Sequence, residues 1–145
     1  MTNPLPVQVR PARAGDTDQL LDLVQELATT FEPTKRRFVE TLSKLSDNND
    51  ALLLVAEESN GRLAGYVLGF RYDTFHADGP VTFVEELCVR PDVRAASVGR
   101  TLMTEFEVWS RTSEARLVAV ATRRARAFYE AIGFDSRGDY LERLL

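Results

Sequence analysis

The chain is short of the residues that announce a metal centre or a disulfide scaffold. It holds one cysteine, Cys88, and one histidine, His76, in 145 residues. A lone cysteine closes no bridge within the chain, and such usage fits a reducing compartment. A site built from several His and Cys ligands is excluded, and no calcium-loop pattern of carboxylates appears. A Ser-His-Asp or Cys-His relay has only His76 to draw on, and no nucleophile elbow is present. No apolar run nears the ~18 residues of a membrane span. Met1 to Arg10 has neither the apolar stretch nor the cleavage site of a secretory signal. The chain is therefore expected to be cytoplasmic and unprocessed. Positive charge is also in short supply: 18 Lys+Arg stand against 22 Asp+Glu, a net charge of -4. That balance argues against a general nucleic-acid binder and suits small cationic partners. Repeats, low-complexity tracts and Pro/Gly/Ser linkers are missing, so residues 1–145 are expected to form one domain.

Hydrophobic patterning supplies the elements. Leu5 to Arg10 alternates weakly and reads as a strand. Asp16 with Gln19 has the spacing of a capping box, and Leu20, Val24, Leu27 and Phe31 then recur at helical intervals. Pro33 opens a second helix with Phe38, Leu42 and Leu45 on one face. Ala51 to Glu57 is a continuous apolar strand. Asn60-Gly61 marks a hairpin turn, and Leu63 to Tyr72 returns. A loop over 72–80 precedes a strand from Val81 to Arg90. Val98, Leu102, Phe106 and Trp109 line a long helix ending near Arg111. Leu117 to Val120 is a strand, Arg123 to Ile132 a helix capped by Gly133, and the remainder is expected to return as one or two strands. The order β-α-α-β-β-β-α-β-α-β predicts an α/β (α+β) fold: a mixed twisted sheet of about six or seven strands flanked by about four helices.

One stretch carries most of the chemical information. In Val89-Arg90-Pro91-Asp92-Val93-Arg94-Ala95-Ala96-Ser97-Val98-Gly99-Arg100 a strand ends at proline, a loop of small residues follows and a helix begins. Main-chain N–H groups at such a helix start, with the positive end of the helix dipole, suit an anion. Small side chains let a pyrophosphate approach, and Arg94 and Arg100 add charge. Taken alone, the same residues also describe an ordinary strand-turn-helix corner.

The order of elements and this stretch in particular resemble the GNAT acetyltransferase superfamily. Its signature, Gln/Arg-x-x-Gly-x-Gly/Ala, matches Arg94 to Gly99 at both ends; Ser97 stands at the central glycine, and Ala95 where a glycine is frequent. Val89-Arg90-Pro91 resembles the Val-x-Pro that closes the family's fourth strand. Ala125-Arg126-Ala127-Phe128-Tyr129-Glu130-Ala131-Ile132-Gly133-Phe134 resembles its Ala-x-x-Phe-Tyr-x-x-x-Gly-Phe helix. The resemblance spans nearly the whole chain. It implies a GNAT-like N-acetyltransferase domain that uses acetyl-CoA and no metal. The diphosphate is expected on Arg94, Ala95, Ala96, Ser97, Val98, Gly99 and Arg100. The pantetheine is expected on the main chain of Leu87, Cys88 and Val89, where the fourth and fifth strands splay apart.

Acetyl transfer to an amine needs a base for the ammonium proton and an acid for the departing thiolate. Glu85 and Glu86 precede the cofactor segment. Strand alternation sends neighbours to opposite faces, which would admit only one of them to a given site. Related polyamine acetylating enzymes look similar here, and their first acid, acting as base through water, matches Glu85. Tyr129 matches the tyrosine that protonates the thiolate. The implied reaction is direct attack by a small-molecule or peptide amine, without an acyl-enzyme, in a protein that is a possible homodimer and has no nucleic-acid or membrane partner. The alternative from another class is a catalytically weak or inactive module of the same fold that binds acyl-CoA or another protein. His76 reads as an exposed loop residue, Cys88 as a small buried strand residue, and Phe106 and Trp109 as core. Arg123 and Arg124 lie equally well on a cofactor phosphate or in solvent.

Overall fold

The computed structural model describes residues 5–94 and 97–145. Five strands form one sheet in spatial order β1-β2-β3-β4-β5: β1 Val7–Pro11, β2 Ala51–Glu58, β3 Leu63–Thr74, β4 Gly79–Val89 and β5 Val118–Val120. The first four pair antiparallel, and β5 joins β4 in parallel after a crossover. Four α-helices accompany them among the described residues: α1 Thr17–Leu27, α2 Lys35–Ser46, α3 Val98–Thr112 and α4 Arg126–Ala131.

The central strands read as unbroken apolar runs because helices cover both faces of the sheet. On one face Leu54, Ala56, Val67 and Val84 pack under Leu102, Met103 and Phe106 of α3, with Tyr129 of α4 in the same core. On the other, Val55, Tyr66, Leu68 and Cys88 meet Leu20 and Leu23 of α1 and Leu42 of α2. The approach of α3 depends on a missing side chain: a Cβ at Gly69 would stand 2.3 Å from the Phe106 ring and 2.6 Å from the Phe83 carbonyl. A buried pair of hydroxyls, Thr82 and Ser110 at 2.8 Å, ties β4 to the end of α3, and Ser110 also donates to the Phe106 carbonyl at 2.9 Å.

Several sequence expectations are corrected. Among the described residues the sheet has five strands rather than six or seven. Residues 135–145 form no strand; they run irregularly and exposed, and β5 remains an edge. The segment Phe134 onward lacks the apolar face that burial on a sheet demands: Ser136 and Gly138 stand between Asp135, Arg137 and Asp139, and Glu142-Arg143 then places two charges side by side. The loop expected over 72–80 is mostly hairpin, since pairing continues to Thr74 and Gly79 and leaves only Phe75 to Asp78 at the tip. Asp16 and Gln19 make no capping box with each other. Instead the Arg13 N–H donates to Asp16 Oδ2 at 2.9 Å, and Gln19 Oε1 accepts the Leu63 N–H at 2.8 Å. The Asn60-Gly61 turn is as expected, with Gly61 at φ 86°. No helix of the described residues is long and apolar enough to cross a membrane.

Candidate active site

Strand β4 carries both proposed acids and the proposed pantetheine segment, and its geometry changes at Glu85. Leu68 lies opposite Glu86, but the next residue, Gly69, lies opposite Val84. Glu85 is thus the extra residue of a β-bulge, a device that re-aims side chains and ends regular pairing. Val84 and Leu87, three positions apart, both pack into the α3-side core. Strict alternation would put them on opposite faces, so the bulge resets which side chains share a face; Glu85 lines the cleft described next and Glu86 turns to Tyr66 instead, so one of the two acids enters that site. Pairing with β5 stops at the same place, with Val84 opposite Val120. From Glu85 to Val89, β4 therefore has no registered partner on the β5 side among the described residues.

A cleft of about 1200 Å³ reaches the first residue of this edge, Glu85, but is not lined by Leu87, Cys88, Val89 or the start of α3. Phe83 and Glu85 of β4, main chain and side chains of β5, Tyr129 of α4, Arg123 and Arg126, and the segment from Gly133 to Glu142 all line it. Glu85 is exposed on its wall. Tyr129 is largely buried, its ring set edge-on to Phe128 and Phe134 at centroid distances of 5.0 and 5.5 Å. Gly133, at φ 102°, turns the chain so that the Phe134 N–H reaches the Tyr129 carbonyl at 3.0 Å, which locks the end of α4 against the ring. Burial pushes the Tyr129 phenol up to about 12, so it keeps its proton throughout the neutral range. Glu86 takes no place on this cleft wall; its Oε1 accepts the phenol of Tyr66 at 2.7 Å.

The expected cofactor residues divide. Leu87 and Val89 turn their side chains into the α3-side core, and Cys88 turns toward α1, where its thiol donates to the Leu23 carbonyl at 3.4 Å. Burial pushes that thiol up to about 11, so it is not poised as a nucleophile. Arg94 is tied into the protein: its Nε donates to the Val89 carbonyl at 3.2 Å, and its guanidinium lies 3.7 Å from Glu26. Ser97 caps α3 in the left-handed region, at φ 66°. The Thr101 N–H to the Ser97 carbonyl, at 3.1 Å, begins the helical ladder, so Val98, Gly99 and Arg100 occupy the first turn. Val98 and Gly99 are buried and Arg100 is exposed. Gly99 has a packing reason of its own: a Cβ there would stand 3.3 Å from the Phe128 ring, so the glycine lets α4 close on α3. Ala95 and Ala96 lie outside the described residues.

His76 is exposed at the β3–β4 tip, and Phe106 is core with Trp109 packed on it. Arg123 pairs with Glu142 of the C-terminal segment rather than standing alone. Among the described residues, no group of three or more His, Cys, Asp and Glu is gathered as a metal would need. Two features escaped the sequence reading. Tyr66 sits within an apolar strand, where its hydroxyl gives no periodic signal. The β4 bulge follows from pairing to β3 rather than from any turn residue.

The Acetyltransferase (GNAT) family model matches residues 17–134. The chain belongs to the GNAT acetyltransferase family. Solved GNAT structures share its fold across almost its whole length. Glucosamine-6-phosphate N-acetyltransferase from Arabidopsis thaliana is 17% identical, with a TM-score of 0.85 over 96% of this chain and 98% of that one. An acetyltransferase from Trypanosoma brucei is 20% identical, with a TM-score of 0.83 over 97% and 100%. A protein described as a transcriptional regulator from Bacillus halodurans is 17% identical, with a TM-score of 0.86 over 97% and 100%. At these identities the GNAT likeness extends to fold alone. No curated protein matches the sequence.

Proposed function

We propose that this GNAT protein transfers an acetyl group from acetyl-CoA to a primary amine by direct attack, with Glu85 as general base and Tyr129 as general acid. The observation that carries the reading is that Glu85 and Tyr129 line one cleft beside the stretch of β4 that has lost its β5 partner. The family's cosubstrate supplies the activated acyl group as a thioester. In this reading the open edge at Leu87, Cys88 and Val89 takes the pantetheine, and the amides of Ser97 to Arg100 take the diphosphate.

An aliphatic amine near neutrality is mostly an ammonium ion, with a pKa of about 10.4. Glu85 takes its proton, directly or through a water on the cleft wall, so that the nitrogen lone pair is free. The N–C bond then forms as the C–S bond breaks, Tyr129 delivers its proton to the sulfur that leaves, and the second proton on the acylated nitrogen passes to the Tyr129 phenolate, leaving a neutral amide. A phenol held protonated by burial suits that second step. Glu85 on the cleft wall, and the net charge of -4, favour a small cationic acceptor over a neutral one.

A second reading is a weak or non-catalytic acyl-CoA-binding or protein-interaction module, favoured by Ser97 in a glycine conformation and by Arg94 seated on the Val89 carbonyl. Thiol release with acetyl-CoA and a panel of polyamines, amino sugars, amino-acid derivatives and lysine peptides separates the two. The transferase reading predicts turnover on at least one amine. It also predicts roughly 10²–10⁴-fold slower turnover for Tyr129→Phe and for Glu85→Gln, with acetyl-CoA still raising the melting temperature of both variants. Stabilisation by acetyl-CoA without turnover on any amine favours the binding module. No stabilisation at millimolar acetyl-CoA favours the protein-interaction module.

A further inference from the structure

The bulge in β4 falls between two chemically identical residues, and nothing in their side chains decides which of Glu85 and Glu86 is the extra one. Moving the bulge by a single position would pair Glu85 with Leu68 and release Glu86, exchanging their places. The choice is made across the strand. Tyr66 is fully buried, at 1% exposure, and lies opposite Cys88. Its phenol carries one proton and reaches diagonally to Glu86 Oε1 at 2.7 Å, past the Val67–Leu87 pair. A buried hydroxyl without an acceptor is costly, and the buried cluster that holds Tyr66 is otherwise apolar, Leu20, Leu23, Leu42, Val55, Leu63 and Leu68, with the Cys88 thiol already donated to the Leu23 carbonyl. Glu86 is its only acceptor among the described residues.

We propose that Tyr66 is a positioning residue whose phenol, by holding Glu86 in register with Leu68, fixes the bulge at Glu85 and so presents Glu85 to the cleft. This rests on the reading of Glu85 as base, but the register it fixes is observable without catalysis. Burial and the neighbouring Glu86 charge both raise the Tyr66 phenol, so the donor persists at any pH the folded protein meets. The role differs from a second base: Glu86 serves as a hydrogen-bond acceptor, which an uncharged amide oxygen also provides.

The test uses the full chain and three variants, Tyr66→Phe, Glu86→Gln and Glu86→Leu, with steady-state kinetics and backbone NMR of residues 84–87. Tyr66→Phe and Glu86→Leu are expected to lower kcat on the order of 10²-fold, with KM for acetyl-CoA within about twofold, because the cofactor segment beyond Glu86 is retained. Glu86→Gln is expected to restore kcat to within about threefold of the parent. In Tyr66→Phe the amide signals of Glu85 and Glu86 are expected to move or broaden, and in Glu86→Gln the Glu85 signal is expected to keep its position. A Glu86→Gln variant as slow as Glu86→Leu overturns the proposal, since the charge of Glu86 would then be what matters. Parental kcat in Tyr66→Phe, or unchanged amide signals at 84–87, also overturns it. If the parent acetylates no amine, the transferase reading fails, and the NMR arm alone decides whether Tyr66 sets the bulge.

Discussion

Ser97 is the residue at which local strain and proposed function meet. A side chain in the left-handed region costs about 1–2 kcal/mol relative to glycine, and Ser97 sits there at φ 66°. Ser97→Gly is expected to stabilise the protein by about 1 kcal/mol after the extra chain entropy of glycine is subtracted. That corresponds to a rise in melting temperature of about 3 °C for a chain of this size, readable by calorimetry. The need for a glycine-like conformation was legible in the sequence, because the family signature has glycine where Ser97 stands. The role of Gly99 was not: it follows from the Phe128 ring against which it packs. Cys88 and Tyr129 carry a second prediction. Their folded values, about 11 and about 12, lie above their ordinary ones. The unfolded chain therefore ionises first as pH rises. The stability they contribute is whole below about pH 8.5 for the thiol and about pH 10 for the phenol, and is lost as pH climbs through the folded values. Urea midpoints measured from pH 8 to 11 should fall, and fall less in Cys88→Ala relative to its own value at pH 8.

At the scale of elements, most strands and helices could be read from periodicity because both sheet faces are covered and each helix has one apolar stripe. The failures have physical causes. Alternation gives a strand's faces only while its register is unbroken, and the bulge at Glu85 breaks it through pairing with β3 rather than through any residue of β4 itself. The absence of a strand after Phe134 reflects the small and polar residues, Ser136 and Gly138, that stand between the charges where a buried face would need apolar side chains, against an expectation drawn from the usual element order. The β3–α3 contact gives a third prediction. Gly69→Ala forces a methyl into the Phe106 ring and the Phe83 carbonyl, and one of those contacts is backbone that does not yield cheaply. It should cost about 2 kcal/mol, seen as a lower denaturant midpoint at unchanged slope. A Gly69→Ala variant as stable as the parent would mean that α3 does not press on β3 as described.

Across the whole molecule, the α1 end is held to the sheet by charge. Arg10 of β1 forks onto Asp16 with two hydrogen bonds of 2.8 Å and onto Glu57 of β2. The Asp16 side chain is only 5% exposed. Its carboxyl is held below the ordinary range first by Arg10, then by the Arg13 N–H, against burial, which pushes the other way. The contribution is present above the ordinary value of about 3.9 and fades as pH falls toward the lowered folded value. Asp16→Asn leaves Arg10 with Glu57 alone and should cost about 3 kcal/mol at pH 7, with the difference from the parent smaller by at most about 1 kcal/mol near pH 3. None of this network was legible in the sequence, since Arg10, Asp16 and Glu57 come together only when β1 pairs with β2. The candidate site was legible in part. The motifs placed Glu85, Tyr129 and the helix start, while the meeting of Glu85 and Tyr129 on one cleft, which the helix start does not line, depends on where β4 stops pairing with β5, after Val84. The most direct measurement is therefore a crystal structure with CoA bound. The account predicts the diphosphate on the amides of residues 97–100, the pantetheine along Leu87 to Val89, and the sulfur within about 3.5 Å of the Tyr129 hydroxyl, with Glu85 facing the same space. CoA seated away from that cleft, or a sulfur out of reach of Tyr129 while Glu85 points elsewhere, would contradict it.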